Sequence, residues 1–160
     1  MADRYAHCTF CGARFPPGRP WPRRCGACGV TSYLNPKPVA VAVQPVGPGL
    51  LVVRRGIPPA QDLLALPGGY IDVGETWQVA AARELAEETG LTADPAAVHL
   101  FDTLSAPDGT VLVFGLLPAI DELPAFVPNE ETLSLEVLTE PAPLGFDLHT
   151  LVAGRWFAEA

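Results

Sequence analysis

The chain has 160 residues, 49% of them hydrophobic and 18% charged. That balance supplies enough apolar surface for a packed core, and the length allows one ordinary domain plus a small appendage, so a disordered chain and a large multidomain machine are both excluded. The net charge of −8 is unevenly placed: residues 1–37 hold six basic groups and one acid, whereas residues 38–160 hold four basic groups and 17 acids, so a basic head precedes an acidic body.

All four cysteines lie in the head, as Cys8-x2-Cys11 and Cys25-x2-Cys28, each pair followed by a glycine, Gly12 or Gly29. Two such turns present four thiolates to one point, which suits tetrahedral Zn²⁺. A disulfide pair and a redox dithiol are the competing readings, and the doubled motif favours structural zinc. Residues 1–35 are therefore expected to form a zinc ribbon and residues 38–160 the main domain, with the stiff Asn35-Pro36-Lys37-Pro38 segment between them. Nucleic acid is a candidate partner for the basic head, although a solvated face explains the same charge.

The apolar run at 39–46, a Gly-Pro-Gly turn at 47–49 and a second run at 50–55 predict an antiparallel hairpin. A long loop follows. Residues 75–89 are rich in Ala, Leu and Glu and are stopped by Gly90, which predicts a helix. Residues 98–104 and 110–117 flank a Pro-Asp-Gly turn and predict a second hairpin, 133–138 adds a strand, and 146–158 closes the chain as an amphipathic helix. Phe146, Leu151, Val152, Trp156 and Phe157 are expected to face the core there. The longest apolar stretch, residues 110–120, is far short of the roughly 20 residues of a spanning helix, and residues 1–8 lack the layout of a secretory signal. No membrane association and a cytoplasmic location are the expectation.

The chemistry gathers on the 75–89 helix. Glu84, Glu87 and Glu88 stand at i, i+3 and i+4, and three adjacent carboxylates repel one another unless a cation sits among them. Oxygen ligands in such a cluster suit Mg²⁺ or Mn²⁺, which would also let an acidic body accept a phosphate-bearing ligand. A solvated acidic face is the plain alternative for the string alone. Just before the helix lies the glycine-punctuated loop Leu66-Pro67-Gly68-Gly69-Tyr70.

Read together, Gly69-x5-Glu75-x7-Arg83-Glu84-Leu85-x-Glu87-Glu88-x-Gly90-Leu91 fills every fixed position of the 23-residue Nudix box, and the chain resembles the Nudix hydrolases. The resemblance implies an α/β fold, an α/β/α sandwich around a mixed sheet, and metal-dependent hydrolysis of a nucleoside diphosphate linked to another moiety. It implies Glu84, Glu87 and Glu88 as Mg²⁺ or Mn²⁺ ligands with the Gly68 carbonyl, and an orienting ion pair between Glu75 and Arg83. The proton acceptor would be a cluster glutamate or an acid of the Glu130-Glu131 pair, with Glu131 slightly favoured. Arg54 and Arg55, at the end of the second strand, are candidates for substrate phosphate, with Gly69 and Tyr70 as further substrate-binding candidates. Leu64 stands where many relatives carry tryptophan.

The four-cysteine head narrows the resemblance. NADH pyrophosphatases of this family carry a Ser-Gln-Pro-Trp signature after the box, which is missing here. A shorter zinc-ribbon class that resembles ADP-ribose and FAD pyrophosphatases shares the Tyr33-Leu34-Asn35-Pro36-Lys37 junction and the late Phe146-Asp147-Leu148 stretch, and Pro107 stands where ADP-ribose hydrolases carry proline. The expected activity is a pyrophosphohydrolase of ADP-ribose or FAD that releases AMP. The alternatives are hydrolysis of NAD(H) or NAD-capped RNA, a nucleoside triphosphate housecleaning activity, or an inactive sensing or nucleic-acid-binding module. A homodimer is common among relatives.

Overall fold

The computed structural model describes residues 5–159, and Asp3 and Arg4 of the basic head lie outside the described residues. The chain divides into two compact units, Met1–Pro36 and Lys37–Ala160. In the first, two short strands, β1 (Arg23–Arg24) and β2 (Thr31–Ser32), pair antiparallel. The buried cluster of this unit is Cys8, Phe15 and Cys25, with Ala13 packed against it. The Arg23 guanidinium lies 4.4 Å above the Trp21 ring and donates to the Arg19 and Tyr5 carbonyls, while Arg24 donates to Gly29. Two of the head's arginines thus serve its own fold.

The second unit opens with β3 (Lys37–Val43), β4 (Pro45–Val46), β5 (Gly49–Arg55), β6 (Leu64–Ala65) and β7 (Gly68–Tyr70). Helix α1 (Trp77–Thr89) follows, then β8 (His99–Ser105), β9 (Thr110–Leu116), β10 (Thr132–Leu138) and helix α2 (Asp147–Glu159). One sheet runs β7-β3-β9-β8 and is mixed, because β3 lies parallel to β9 and every other pair is antiparallel. The other runs β10-β5-β4, with β6 also paired to β5.

The first expected hairpin is corrected by this topology. Strand β3 ends at Val43 and pairs with β7 and β9, and only Pro45 and Val46 face Leu50 and Gly49. The chain changes sheet at Gln44, a buried residue whose Nε2 donates to the carbonyls of Pro45 and Pro118 and whose own carbonyl accepts from Leu51. Pro45 has no N–H with which to extend the first ladder.

Alternation along the strands builds the layers. Val41, Val43, Leu50 and Val52 share one core with Val152, Ala153 and Trp156 of α2, while Ala40, Ala42 and Leu51 share the other with Ala80, Ala81 and Leu85 of α1. Successive side chains point to opposite faces, so one helix covers each side, and the result is an α/β/α sandwich. Leu151 is 43% exposed and does not join the α2 core, in contrast to its expected place, whereas Val152 and Trp156 are buried.

The box helix starts two residues later than the composition predicts. The Thr76 hydroxyl caps it by accepting the Val79 N–H at 3.3 Å, and Gly90, at φ 76°, closes it with an N–H to the Ala86 carbonyl. Glu75 therefore precedes the cap and lies outside the helix. Among the described residues no helix is long and apolar enough to cross a membrane.

Candidate active site

Arg83 organises the acidic face of α1. Its Nε and Nη2 grip both oxygens of Glu75 at 2.9 and 3.0 Å, Nη1 reaches Glu84 at 2.7 Å and Glu87 at 3.0 Å, and Nη2 also donates to the Tyr70 carbonyl at 2.9 Å. Glu75 in turn accepts the Asp72 N–H, so one guanidinium locks the loop onto the helix. The fork to Arg83, helped by the Asp72 amide, holds the Glu75 carboxyl below its ordinary range, and the same bonds raise Arg83.

The other carboxylates face a cavity of 840 Å³ lined by Glu84, Glu87, Glu88 and Glu131 together with Arg55, Gly68, Gly69 and Tyr70. Glu84 and Glu88 are buried. Burial is the main cause that pushes Glu88 up to about 8, against the pull of the Gly68 N–H at 3.2 Å, and burial likewise raises Glu84 against the pull of Arg83. Glu131 adds to both shifts through its own charge. A Cβ on Gly69 would run into the Glu84 carboxylate, so only glycine lets the loop approach this closely. The donor set is all oxygen, its charges repel, and hard divalent cations such as Mg²⁺ or Mn²⁺ fit it.

The two candidate arginines part company. Arg55 lines the cavity, donates to the Pro59 carbonyl at 2.8 Å and lies 5.3 Å from the Phe146 ring centroid. Arg54, its neighbour, is outside the lining: its Nε and Nη2 hold Glu136 at 3.1 and 2.6 Å and Nη1 donates to the Asp62 carbonyl. Adjacent residues on a strand face opposite ways, and that corrects the expectation for Arg54. Similarly, Glu131 reaches the lining and Glu130 does not. Pro107 is also on the wall.

Two residues at the site carried no signal in the sequence. Asn129 Oδ1 accepts the N–H groups of Glu131 and Thr132, and its Nδ2 donates to the Glu87 carbonyl of α1. His149, buried on α2, lines the cavity and accepts the Leu66 N–H at 3.2 Å. Neither belongs to a motif, because each acts across the fold.

In the first unit the sulfurs of Cys8, Cys11, Cys25 and Cys28 all lie within 4.8 Å of one another. The Cys8–Cys28 and Cys11–Cys25 separations are 3.8 and 3.6 Å. These are too long for a disulfide and match the sulfur spacing of ~3.8 Å that tetrahedral Zn–S bonds of about 2.3 Å impose. Gly12 and Gly29, both at φ 73°, close equivalent turns with N–H bonds to the Cys8 and Cys25 carbonyls at 3.0 Å. Backbone amides of Cys11 and Phe10 hold the Cys8 thiol down at about 6, and those of Cys28 and Ala27 lower Cys25. Cys28 lies at about 12, where the pull of the Val30 amide is outweighed by desolvation and the other three sulfurs. The cluster is compatible with a structural metal.

Comparison with known proteins agrees with this geometry. The family described as NUDIX domain matches residues 36–151. A crystal structure of a NUDIX hydrolase from Nitrosomonas europaea superposes with a TM-score of 0.78 at 26% identity, over 96% of this chain and 90% of that one. An ADP-ribose pyrophosphatase of Methanocaldococcus jannaschii is 36% identical over 76 residues, 48% of this chain and 44% of the relative. An NAD-capped RNA hydrolase, NudC, of Deinococcus radiodurans is 33% identical over 89 residues, 51% of this chain and 32% of the relative. The matches thus span less than half the length of either curated relative. With the family match covering well over half of its length, and Gly69, Glu84, Glu87 and Glu88 of the box lining one cavity, the chain belongs to the Nudix hydrolase family.

Proposed function

We propose that the chain is a divalent-metal-dependent pyrophosphohydrolase of nucleoside diphosphate derivatives, with ADP-ribose or FAD as the substrate and AMP as one product. The observation that carries the reading is the crowding of Glu84, Glu87, Glu88 and Glu131 around one cavity, two of the four with carboxyls raised by burial. The match to an ADP-ribose pyrophosphatase and the missing Ser-Gln-Pro-Trp signature support the substrate class.

Glu84, Glu87 and Glu88 would hold Mg²⁺ or Mn²⁺, with the Gly68 carbonyl as a further ligand. When bound, the cation neutralises the diphosphate and acidifies the attacking water. Arg83 keeps the glutamates oriented through its fork to Glu75. Glu131, exposed on its loop, takes the proton from the water as phosphorus is attacked. Arg55 and the peptide groups of Gly69 and Tyr70 orient the phosphates. In the head, Cys8, Cys11, Cys25 and Cys28 hold a structural Zn²⁺, which metal analysis of purified protein reads as about one equivalent.

The test is AMP release with Mg²⁺ or Mn²⁺ from ADP-ribose, FAD, NADH and NAD-capped RNA. Preference for ADP-ribose or FAD, lost by orders of magnitude in Glu84→Gln, supports the reading. Preference for NAD-capped RNA would transfer the assignment to the reaction that the Deinococcus relative is named for. Silence with every substrate overturns it.

A further inference from the structure

The cavity has a second chemical character away from its carboxylates. Ile57, Pro58, Pro59, Phe146 and Leu148 line it with apolar surface, and His149 is set among them. The imidazole packs 5.0 Å from the Phe146 ring and 5.8 Å from Phe114. Its Nδ1 accepts the Leu66 N–H, which fixes the neutral tautomer with the proton on Nε2. Nε2 has no hydrogen-bond partner among the described residues, yet it is not among the sealed, unsatisfied polar atoms, where Thr132 Oγ1 stands alone. His149 lines the cavity, and its Nε2–H is the ring's unused donor there.

We propose that His149 reads the nucleobase of the bound nucleotide, its Nε2–H donating to a ring nitrogen or carbonyl of the base against the apolar wall at Phe146. The inference rests on the cavity being a nucleotide site. A fixed, uncharged donor in apolar surroundings selects a planar heterocycle with an acceptor on its edge and offers little to a phosphate, which the cationic groups and metal attract more strongly. Burial, the largest cause, and then the charge of Arg55 hold the imidazole far below its ordinary range, at about 3, so it stays uncharged at neutral pH. The spacing also suits a nucleotide. His149 is anchored to the N–H of Leu66 and Glu88 to the N–H of Gly68, and these anchors are separated by two residues, at most about 7 Å of chain. A ribose bridges base and phosphate over a comparable distance.

The experiment titrates the full chain with AMP and, separately, with ribose 5-phosphate, in the presence of Mg²⁺. The Hε2 resonance of His149 should move with AMP and stay in place with ribose 5-phosphate. In His149→Asn the shorter amide can still accept the Leu66 N–H but cannot reach the base, so the Kd for AMP should rise about tenfold while that for ribose 5-phosphate is unchanged. Equal weakening of both ligands, an unchanged AMP affinity, a response of Hε2 to ribose 5-phosphate, or no AMP binding by the unmodified protein overturns the proposal. The titration needs no turnover, so a protein that binds AMP through His149 yet releases none from any substrate separates failure of the hydrolytic reading from failure of this one.

Discussion

Asn129 ties the loop before β10 to the box helix: its Nδ2 donates to the Glu87 carbonyl at 3.2 Å while Oδ1 accepts the N–H groups of Glu131 at 2.9 Å and Thr132 at 2.7 Å. The Glu87 carbonyl belongs to the last turn of α1, where no later helical amide can reach it. One side chain thus fixes the distance between the acidic face of α1 and the loop that carries Glu131. Asn129→Ala removes all three bonds and should destabilise the domain by about 1–3 kcal/mol. It should also lower kcat about tenfold or more, because the candidate proton acceptor loses its place. Asn129→Asp keeps both acceptor bonds but sets a carboxylate oxygen against the Glu87 carbonyl and adds charge beside the glutamates, so it should recover only part of the stability and of kcat. Equal kcat in Asn129→Ala and the unmodified protein would show that Glu131 needs no positioning.

The same logic separates two roles at Gly69. A Cβ there meets the carboxylate end of Glu84, which is the far end of a flexible side chain, whereas a Cβ on Gly49 meets the Leu138 backbone. Gly69→Ala should therefore cost less stability than Gly49→Ala, although Glu84 must loosen its bond to Arg83 to make room, and Mn²⁺ affinity should fall about tenfold because the displaced carboxylate is a proposed ligand. Gly49→Ala should show the reverse: a clear loss of stability with metal binding intact. Isothermal titration with Mn²⁺ beside thermal melts of both variants decides this.

The parts of the site that could be read from the sequence are those carried by local spacing. Glu84, Glu87 and Glu88 share a face because an α-helix repeats every 3.6 residues, and Gly90 stops that helix by taking the left-handed conformation that glycine adopts most readily. The cysteine pairs are equally local. What could not be read depends on which sheet a strand joins. Arg54 and Arg55 are indistinguishable in sequence, and only the pairing of β5 with β10 turns Arg54 onto Glu136 and Arg55 into the cavity. The apolar run through Val46 gives no sign that Gln44 carries the chain from one sheet to the other. His149 and Asn129 act on Leu66 and Glu87, partners 83 and 42 residues away, and no periodicity encodes such contacts.

The buried His149 also gives the fold a pH dependence. Its folded-state value, held down at about 3 by burial and then by Arg55, lies below the ordinary value of 6.5 that the unfolded chain recovers. Below that ordinary value the unfolded ring binds a proton that the folded ring refuses, so the contribution is fully present above pH 6.5 and is lost as pH falls from 6.5 toward 3. The slope is about 1.4 kcal/mol per pH unit where the difference is one full proton. The difference in stability between the unmodified protein and His149→Asn, measured by urea unfolding from pH 5 to 8, should be constant above about pH 7 and shrink steadily below 6. A difference independent of pH would mean that the imidazole titrates normally in the folded protein.

The head should depend on a metal at its four cysteines far more than the body does. Its buried cluster consists of Cys8, Phe15 and Cys25, two of which are candidate ligands, whereas Lys37–Ala160 has two separate cores of buried aliphatic and aromatic residues. So few apolar side chains cannot offset the entropy of ordering about thirty residues, and a metal held by the four cysteines would supply the difference. A strong chelator should collapse the amide resonances of residues 5–36 to unfolded positions while those of α1 and α2 keep their dispersion. Cys8→Ser should do the same without chelator, since loss of one thiolate opens the tetrahedron. The edge-on contact of Phe15 with Trp21, at 6.2 Å between centroids, should be lost together with the metal. Survival of the head's resonances after complete metal removal would show that its short strands and the Arg23–Trp21 stack are sufficient to hold it.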